Sequence, residues 1–209
     1  MSVVKMRSKG EQTREKILDL AEEAVLAKGF AGTSIDELIA AAGITKSGFF
    51  YHFADKNALA KALLQRYLDR DKAIQDDLEA KAHELTEDPL EAYLIYLKLL
   101  ADTLADIPNG HPGCLAASYV YQDHLFSQEV RDMNVTGVWA WRRRCASHLK
   151  KIAARYPPKA PVDLEALADL LLSVTDGAII LSKAMHDPSL LPRQILIYRS
   201  MVRLTFQGA

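Results

Sequence analysis

Residues 33–56, TSIDELIAAAGITKSGFFYHFADK, set two short helix patterns on either side of a glycine, which restricts this part of the chain to a helix-turn-helix. Ser34 opens a capping box with Glu37: the hydroxyl takes orphan N–H groups of the first turn, and the Glu37 carboxylate reaches back to the cap backbone. Ile35, Leu38 and Ile39 make one apolar stripe. Ala40, Ala41 and Ala42 are small enough for a second helix to approach closely. Gly43 supplies a left-handed turn, Ile44 plugs the core beneath it, and Thr45 caps the helix that follows. That second helix directs Lys46, Ser47 and Gly48 outward, the end suited to a major groove.

Elsewhere apolar positions recur at three and four residues, and no stretch alternates as a strand does, so the expected class is all-α with about nine helices. The pattern predicts a basic N-terminal arm over 1–10 and a first helix over 11–28. The helix-turn-helix pair comes next, then a fourth helix from Lys56 to about residue 81. A fifth starts at Asp88-Pro89, where Asp caps and Pro is tolerated at the first position. A turn at 107–113 precedes helices over 115–124, 127 to about 156, 163–185 and 192–206. The expected division is 1–55 for the arm and helix-turn-helix, and 56–209 for a larger helical domain.

With 209 residues, 49% of them hydrophobic, the chain can bury a substantial core. Its longest apolar stretch, 166–181, is interrupted by Asp169 and Asp176 and is too short to span a bilayer. No signal-peptide core is evident and only Cys114 and Cys145 are present, so a reducing cytoplasmic location is expected, with no membrane partner. The net charge of −1 looks unsuited to a DNA binder, but the first sixteen residues hold five cations against two acids, net +3. Local potential governs contact with DNA.

Gly29-Phe30, Thr33-Ser34, Ile39-Ala40, Ala42-Gly43-Ile44-Thr45, Lys46, Ser47, Gly48, Phe49-Phe50-Tyr51-His52-Phe53, Lys56 and Leu59 together resemble the tetracycline repressor (TetR/AcrR) family of bacterial regulators, over about residues 12–64. Ser47 stands where the family usually has Gly, and Phe50 where it usually has Tyr. The resemblance implies a homodimeric, ligand-responsive regulator, in most cases a repressor binding an inverted-repeat operator and released by a small-molecule effector. Its partners would be double-stranded DNA, an unidentified effector and a second copy of itself, with no cofactor.

On this reading Thr33, Ser34, Thr45, Lys46, Ser47, Gly48, Tyr51, His52 and Lys56 are the DNA-binding candidates. The threonines offer hydroxyls to phosphate, Lys46 and Ser47 reach base edges, and Tyr51 and His52 meet the backbone. Phe49 and Phe53 belong to the core. For the effector, Tyr93, Tyr96, Cys114, Tyr119, Trp139, His148 and Asp176 are polar or aromatic groups on otherwise apolar faces. The run Arg142-Arg143-Arg144 cannot converge on one ligand, because successive helical residues point about 100° apart.

The helix near 164–181 is apolar almost all round and needs burial on two sides, either in a monomer core or against a second subunit. The dimer reading assigns Leu167, Leu171, Val174, Ala178, Leu181, Tyr198, Met201 and Val202 to the interface, in agreement with the family's use of its last two helices. No Gly-rich phosphate loop, nucleophile elbow, carboxylate pair or metal-ligand spacing is visible, so catalysis and a metal site are not expected. Cys114, after Pro112-Gly113, stands at a helix start where a thiolate would be reactive.

Overall fold

The computed structural model describes residues 8–207, and among them nine α-helices and one 3-10 turn account for all the regular structure. They are α1 (Lys9–Lys28), α2 (Ile35–Ala42), α3 (Lys46–His52), α4 (Lys56–Leu85), α5 (Pro89–Ala105), α6 (Leu115–Tyr121), α7 (Gln128–Arg155), α8 (Leu164–Met185) and α9 (Leu190–Gln207), with the 3-10 turn at Asp123–Leu125. No helix among the described residues is long and apolar enough to cross a membrane. Residues 1–7 of the expected arm lie outside the described residues.

Helix α1 begins two residues before the expected start because Ser8 and Glu11 form a reciprocal capping box. Glu11 Oε2 accepts from the Ser8 amide at 2.7 Å, and Ser8 Oγ accepts from the Glu11 amide at 3.2 Å. The box expected at Ser34 is only half built. Ser34 Oγ accepts from the Glu37 amide at 3.1 Å, but the Glu37 carboxylate takes the Lys28 ammonium instead, 2.6 Å from each oxygen. An ammonium binds a carboxylate more strongly than a neutral amide does, so the ion pair prevails.

The chain divides into two compact units, one formed by residues 1–68 and 115–135, the other by 69–114 and 136–209. This differs from a single cut at residue 55, and the reason is burial. Three short helices cannot enclose Phe30, Phe49 and Phe53 alone. The first turns of α4 supply Leu59, Leu63 and Leu64, while α6 and its neighbourhood add Leu115, Tyr119, Phe126 and Val130 to the same core. Tyr119 stacks on Phe126 at 4.2 Å, Phe126 meets Phe30 at 4.7 Å, and the Tyr119 hydroxyl donates to the Ala60 carbonyl at 2.8 Å. Gln122 Oε1 accepts from the Ala31 amide, and Asn57 Oδ1 from that of Ser127, fastening the later segment to the loops around α2 and α4.

In the second unit α5 packs on α9, and α9 on α8. Their core is Leu90, Tyr93 and Leu97 of α5, Leu149 and Ile152 of α7, Ala168 of α8, and Ile195, Tyr198, Val202 and Phe206 of α9. Helix α5 starts as expected, with Asp88 Oδ1 accepting from the amides of Leu90 and Glu91 and Pro89 at the first helical position.

The turn between α2 and α3 rests on Gly43, at φ 68° and ψ 38°. Its amide donates back to Ala40 and Ile39 carbonyls, and a Cβ there would touch nothing, so backbone conformation alone requires glycine. Gly43→Ala is expected to lower unfolding stability by roughly 1–2 kcal/mol, and Gly43→Asn by less, as read from urea denaturation midpoints.

Candidate nucleic-acid interface

Helix α3 has only seven residues, and two devices hold it. Thr45 Oγ1 accepts from the Gly48 amide at 3.1 Å, and Phe49 is wholly buried in the core of its unit. Phe49 meets Phe53 at 5.7 Å, and Phe50 edge-on at 5.5 Å. With one side of α3 spent on burial, Lys46, Ser47, Phe50 and Tyr51 are left facing outward. Tyr51 is 84% exposed and makes an edge contact with the His52 ring at 5.0 Å.

Among the described residues Lys46 pairs only with Asp36, at 3.9 Å between largely exposed side chains. So long and solvated a pair leaves the ammonium available to a ligand. The two residues that depart from the family pattern have local roles. The Ser47 hydroxyl is bonded to Thr45 Oγ1 at 3.0 Å and so extends the cap, whereas Phe50 packs its edge on Phe49. Gly48 leaves room for the cap: a Cβ there would lie 3.3 Å from Thr45 Oγ1.

Two expected contact residues are placed otherwise. Thr33 is 1% exposed and its hydroxyl donates to the Gly29 carbonyl at 3.0 Å, so its side chain ties the end of α1 to the start of α2 rather than facing outward. Lys56 donates to the Phe30 carbonyl at 2.8 Å and lies over the Phe30 ring at 4.6 Å. Burial pushes its ammonium pKa below the usual lysine value. Ser34 and Thr45 serve as helix caps, and both stay exposed.

Two of the five cations counted in the first sixteen residues, Arg14 and Lys16, stand beside this surface. Lys16 donates to the Ala42 carbonyl at 2.8 Å, supplying positive charge to the C-terminal end of α2, and Arg14 lies over the Phe53 ring at 5.2 Å. Both are polar positions of α1 close to the buried Ile17, and the sequence had marked them by charge without giving them these partners.

The seven effector candidates do not form one site. Tyr119 belongs to the core of the first unit. Trp139 is exposed with the Arg142 guanidinium over its ring at 5.1 Å, and the Cys114 thiol is hydrogen-bonded to the Asp176 carboxylate. Tyr93, Tyr96 and His148 do come together: their rings stack at 5.0 Å for Tyr93 and His148, 5.8 Å for the two tyrosines and 5.9 Å for Tyr96 and His148. Around them stand groups the sequence reading passed over. His148 Nε2 is 2.9 Å from Glu79, Arg144 reaches Glu79 at 2.6 Å and Asp76 at 2.5 Å, and the Trp141 indole donates to Asp71 at 2.5 Å. Asp71, Gln75 and Glu79 repeat every four residues on α4, and Trp141, Arg144 and His148 repeat at three and four on α7; those two polar stripes were the missed signal. The arginine run splits as helical geometry requires, Arg142 pairing instead with Glu165 and Asp169.

Residues 17–63 match the sequence model of bacterial regulatory proteins of the tetR family. The chain is 24% identical over 174 residues to the HTH-type transcriptional repressor DhaR of Mycobacterium sp. (strain GP1), covering 81% of this chain and 82% of that protein. It is 36% identical over 55 residues to the HTH-type transcriptional repressor NemR of Escherichia coli (strain K12), covering 26% and 28% of the two chains. Its backbone is similar to a TetR-family transcriptional regulator from Agrobacterium tumefaciens, with a TM-score of 0.76 at 20% identity over 95% of this chain and all of the other.

Thr45→Ala removes the hydroxyl that accepts from the first turn of α3, and is expected to cost about 1 kcal/mol of unfolding stability. Thr45→Ser is expected to restore nearly all of it in the same denaturation measurement.

Proposed function

The chain belongs to the TetR family of bacterial regulatory proteins, a DNA-binding transcription regulator and not an enzyme, and from that premise we propose that it acts as a homodimeric repressor on an inverted-repeat operator, released by a small-molecule effector. The observation that carries this reading is the outward face of α3, where Lys46, Ser47 and Tyr51 project from a helix fixed by the burial of Phe49. Two such faces, one per subunit, would read half-sites about 34–36 Å apart or a multiple of that spacing. Lys46 and Ser47 serve base edges, Tyr51 and His52 the phosphate backbone.

Dimerisation is supported by apolar side chains that α8 and α9 leave uncovered in the single chain. Ile180, Leu181 and Met185 of α8 and Ile197, Met201 and Leu204 of α9 are exposed. The interface set drawn from the sequence is therefore revised. Leu167, Leu171, Ala178, Tyr198 and Val202 are buried within their own unit, whereas Leu181 at 49%, Met201 at 42% and the half-buried Val174 remain accessible to a second copy. A core helix in a monomer would not keep Leu181 and Met201 in water.

Helix α4 has residues up to 68 in the first unit and from 69 onward in the second, so a ligand bound in the second unit can act on the first through it. The effect is limited to the ligand's differential affinity for the two states, in general about 1–3 kcal/mol.

Lys46→Ala combined with Tyr51→Ala is expected to weaken operator binding at least tenfold, leave the fold intact by circular dichroism, and lower the salt slope of log K by about one for the lost ammonium. Equal affinity of mutant and wild type for an operator selected from genomic fragments would refute the assignment of α3. Leu181→Glu with Met201→Glu is expected to convert the dimer to a monomer in sedimentation equilibrium while preserving helicity; an unchanged dimer would exclude this face.

A further inference from the structure

Several carboxylates of the first unit are committed internally. Glu37 takes the Lys28 ammonium, and Glu15, Asp19 and Glu22 of α1 take the Arg66 guanidinium. Asp36, in the first turn of α2, is placed otherwise. Its side chain is 85% exposed, and among the described residues its ion-pair partner is Lys46 of α3, itself 71% exposed, at 3.9 Å. An acid thus stands in water beside the lysine assigned to base edges.

That position carries an electrostatic cost on a surface that approaches a polyanion. The phosphates and deoxyriboses of a duplex offer acceptors and no donor, so a carboxylate gains no hydrogen bond from the backbone. The donors open to it in the major groove are on base edges, the N4 amine of cytosine and the N6 amine of adenine. A first-turn acid also favours the dipole of its own helix, but that role does not require a place beside Lys46.

We propose that Asp36 is a specificity-determining residue, and that Asp36 and Lys46 together read one G·C base pair in each half-site. The assignment rests on the reading of α3 as the recognition helix and names a base pair that this surface selects. The major-groove edge of a G·C pair runs from the N7 acceptor through the O6 acceptor to the N4 donor. O6 and N4 are themselves hydrogen-bonded, about 2.9 Å apart, so a donor and an acceptor held 3.9 Å apart on neighbouring helices match adjoining groups of one edge. The Lys46 ammonium donates to N7 and O6, and the Asp36 carboxylate accepts from N4. On an A·T pair the ammonium meets a single acceptor on either side of the N6 donor, and the set makes one hydrogen bond fewer.

The test measures base preference for the full-length protein, by selection from duplexes randomised across the operator half-site at one salt concentration, in the wild type, Lys46→Ala and Asp36→Ala. The pair at which Lys46→Ala loses its preference is expected to be G·C. Asp36→Ala is expected to lose at least about fivefold of the discrimination at that same pair, the low end for one base contact, while its affinity for random duplex equals or exceeds that of the wild type. A role confined to helix stability would instead lower the unfolding midpoint and both affinities together, with the base preference unchanged. N4-methylcytosine at this pair puts a methyl group in place of the groove-facing amine hydrogen; it is expected to weaken the wild type and to leave Asp36→Ala unaffected. An A·T preference at the Lys46-dependent pair, no pair relaxed by Lys46→Ala, a base preference unchanged in Asp36→Ala, or equal sensitivity of the wild type and Asp36→Ala to the methyl group would each overturn the assignment. Should any of these accompany weakened operator binding by Lys46→Ala, α3 stands as the recognition helix and the joint reading with Asp36 alone is refuted. Should Lys46→Ala bind the operator as the wild type does, both readings fall.

Discussion

The recognition surface depends on the burial of one aromatic side chain. A seven-residue helix is far below the length that persists in water by itself, and α3 exists because Phe49 is sealed into a core built by α1, α2, α4 and α6. Burial of a phenylalanine is worth about 1.5–3 kcal/mol, which offsets a large part of the nucleation cost of a short helix that is also capped by Thr45. Because Phe49 fixes the rotation of α3, it also decides which residues face outward. Lys46, Ser47 and Tyr51 are presented as a consequence of what is buried behind them.

Charge follows the same logic. A chain with net charge −1 can meet a polyanion only if its acids and bases are sorted. Several bases are committed internally: Lys28 to Glu37, Lys56 to the Phe30 carbonyl, and Arg66 to Glu15, Asp19 and Glu22. These contacts hold α1, α2 and α4 together and remove cations from the exposed complement. Lys46 is different, with only a distant and solvated acid for company. The useful positive charge at α3 is thus the part that the fold does not consume.

The second unit joins an apolar core to a polar seam between α4 and α7. Its acids and bases pair around Arg144 and His148, with burial pushing the Glu79 pKa upward but hydrogen bonds from His148 and Arg144 holding it below the usual carboxylate range. Polar groups of this kind are costly in a core unless each is matched. Here most are; among the described residues of the second unit, Ser182 Oγ is the buried side-chain oxygen that lacks a partner.

Much of the architecture was written in local sequence. The glycine at 43, the caps at Ser34, Thr45 and Asp88, and the three-and-four spacing of apolar residues determined the helix order and the helix-turn-helix, because caps and periodicity act over a few residues. Ends were less legible where long-range partners intervened, as when Lys28 drew Glu37 away from its expected cap. Tertiary structure alone decided that α6 completes the first unit, that the Thr33 hydroxyl is covered, that Leu167 and Tyr198 face inward while Leu181 and Met201 do not, and that Tyr119 joins the core of the first unit. Those outcomes depend on which surfaces meet across tens of residues. A helical pattern specifies that a face must be buried, but the partner that buries it is chosen by packing.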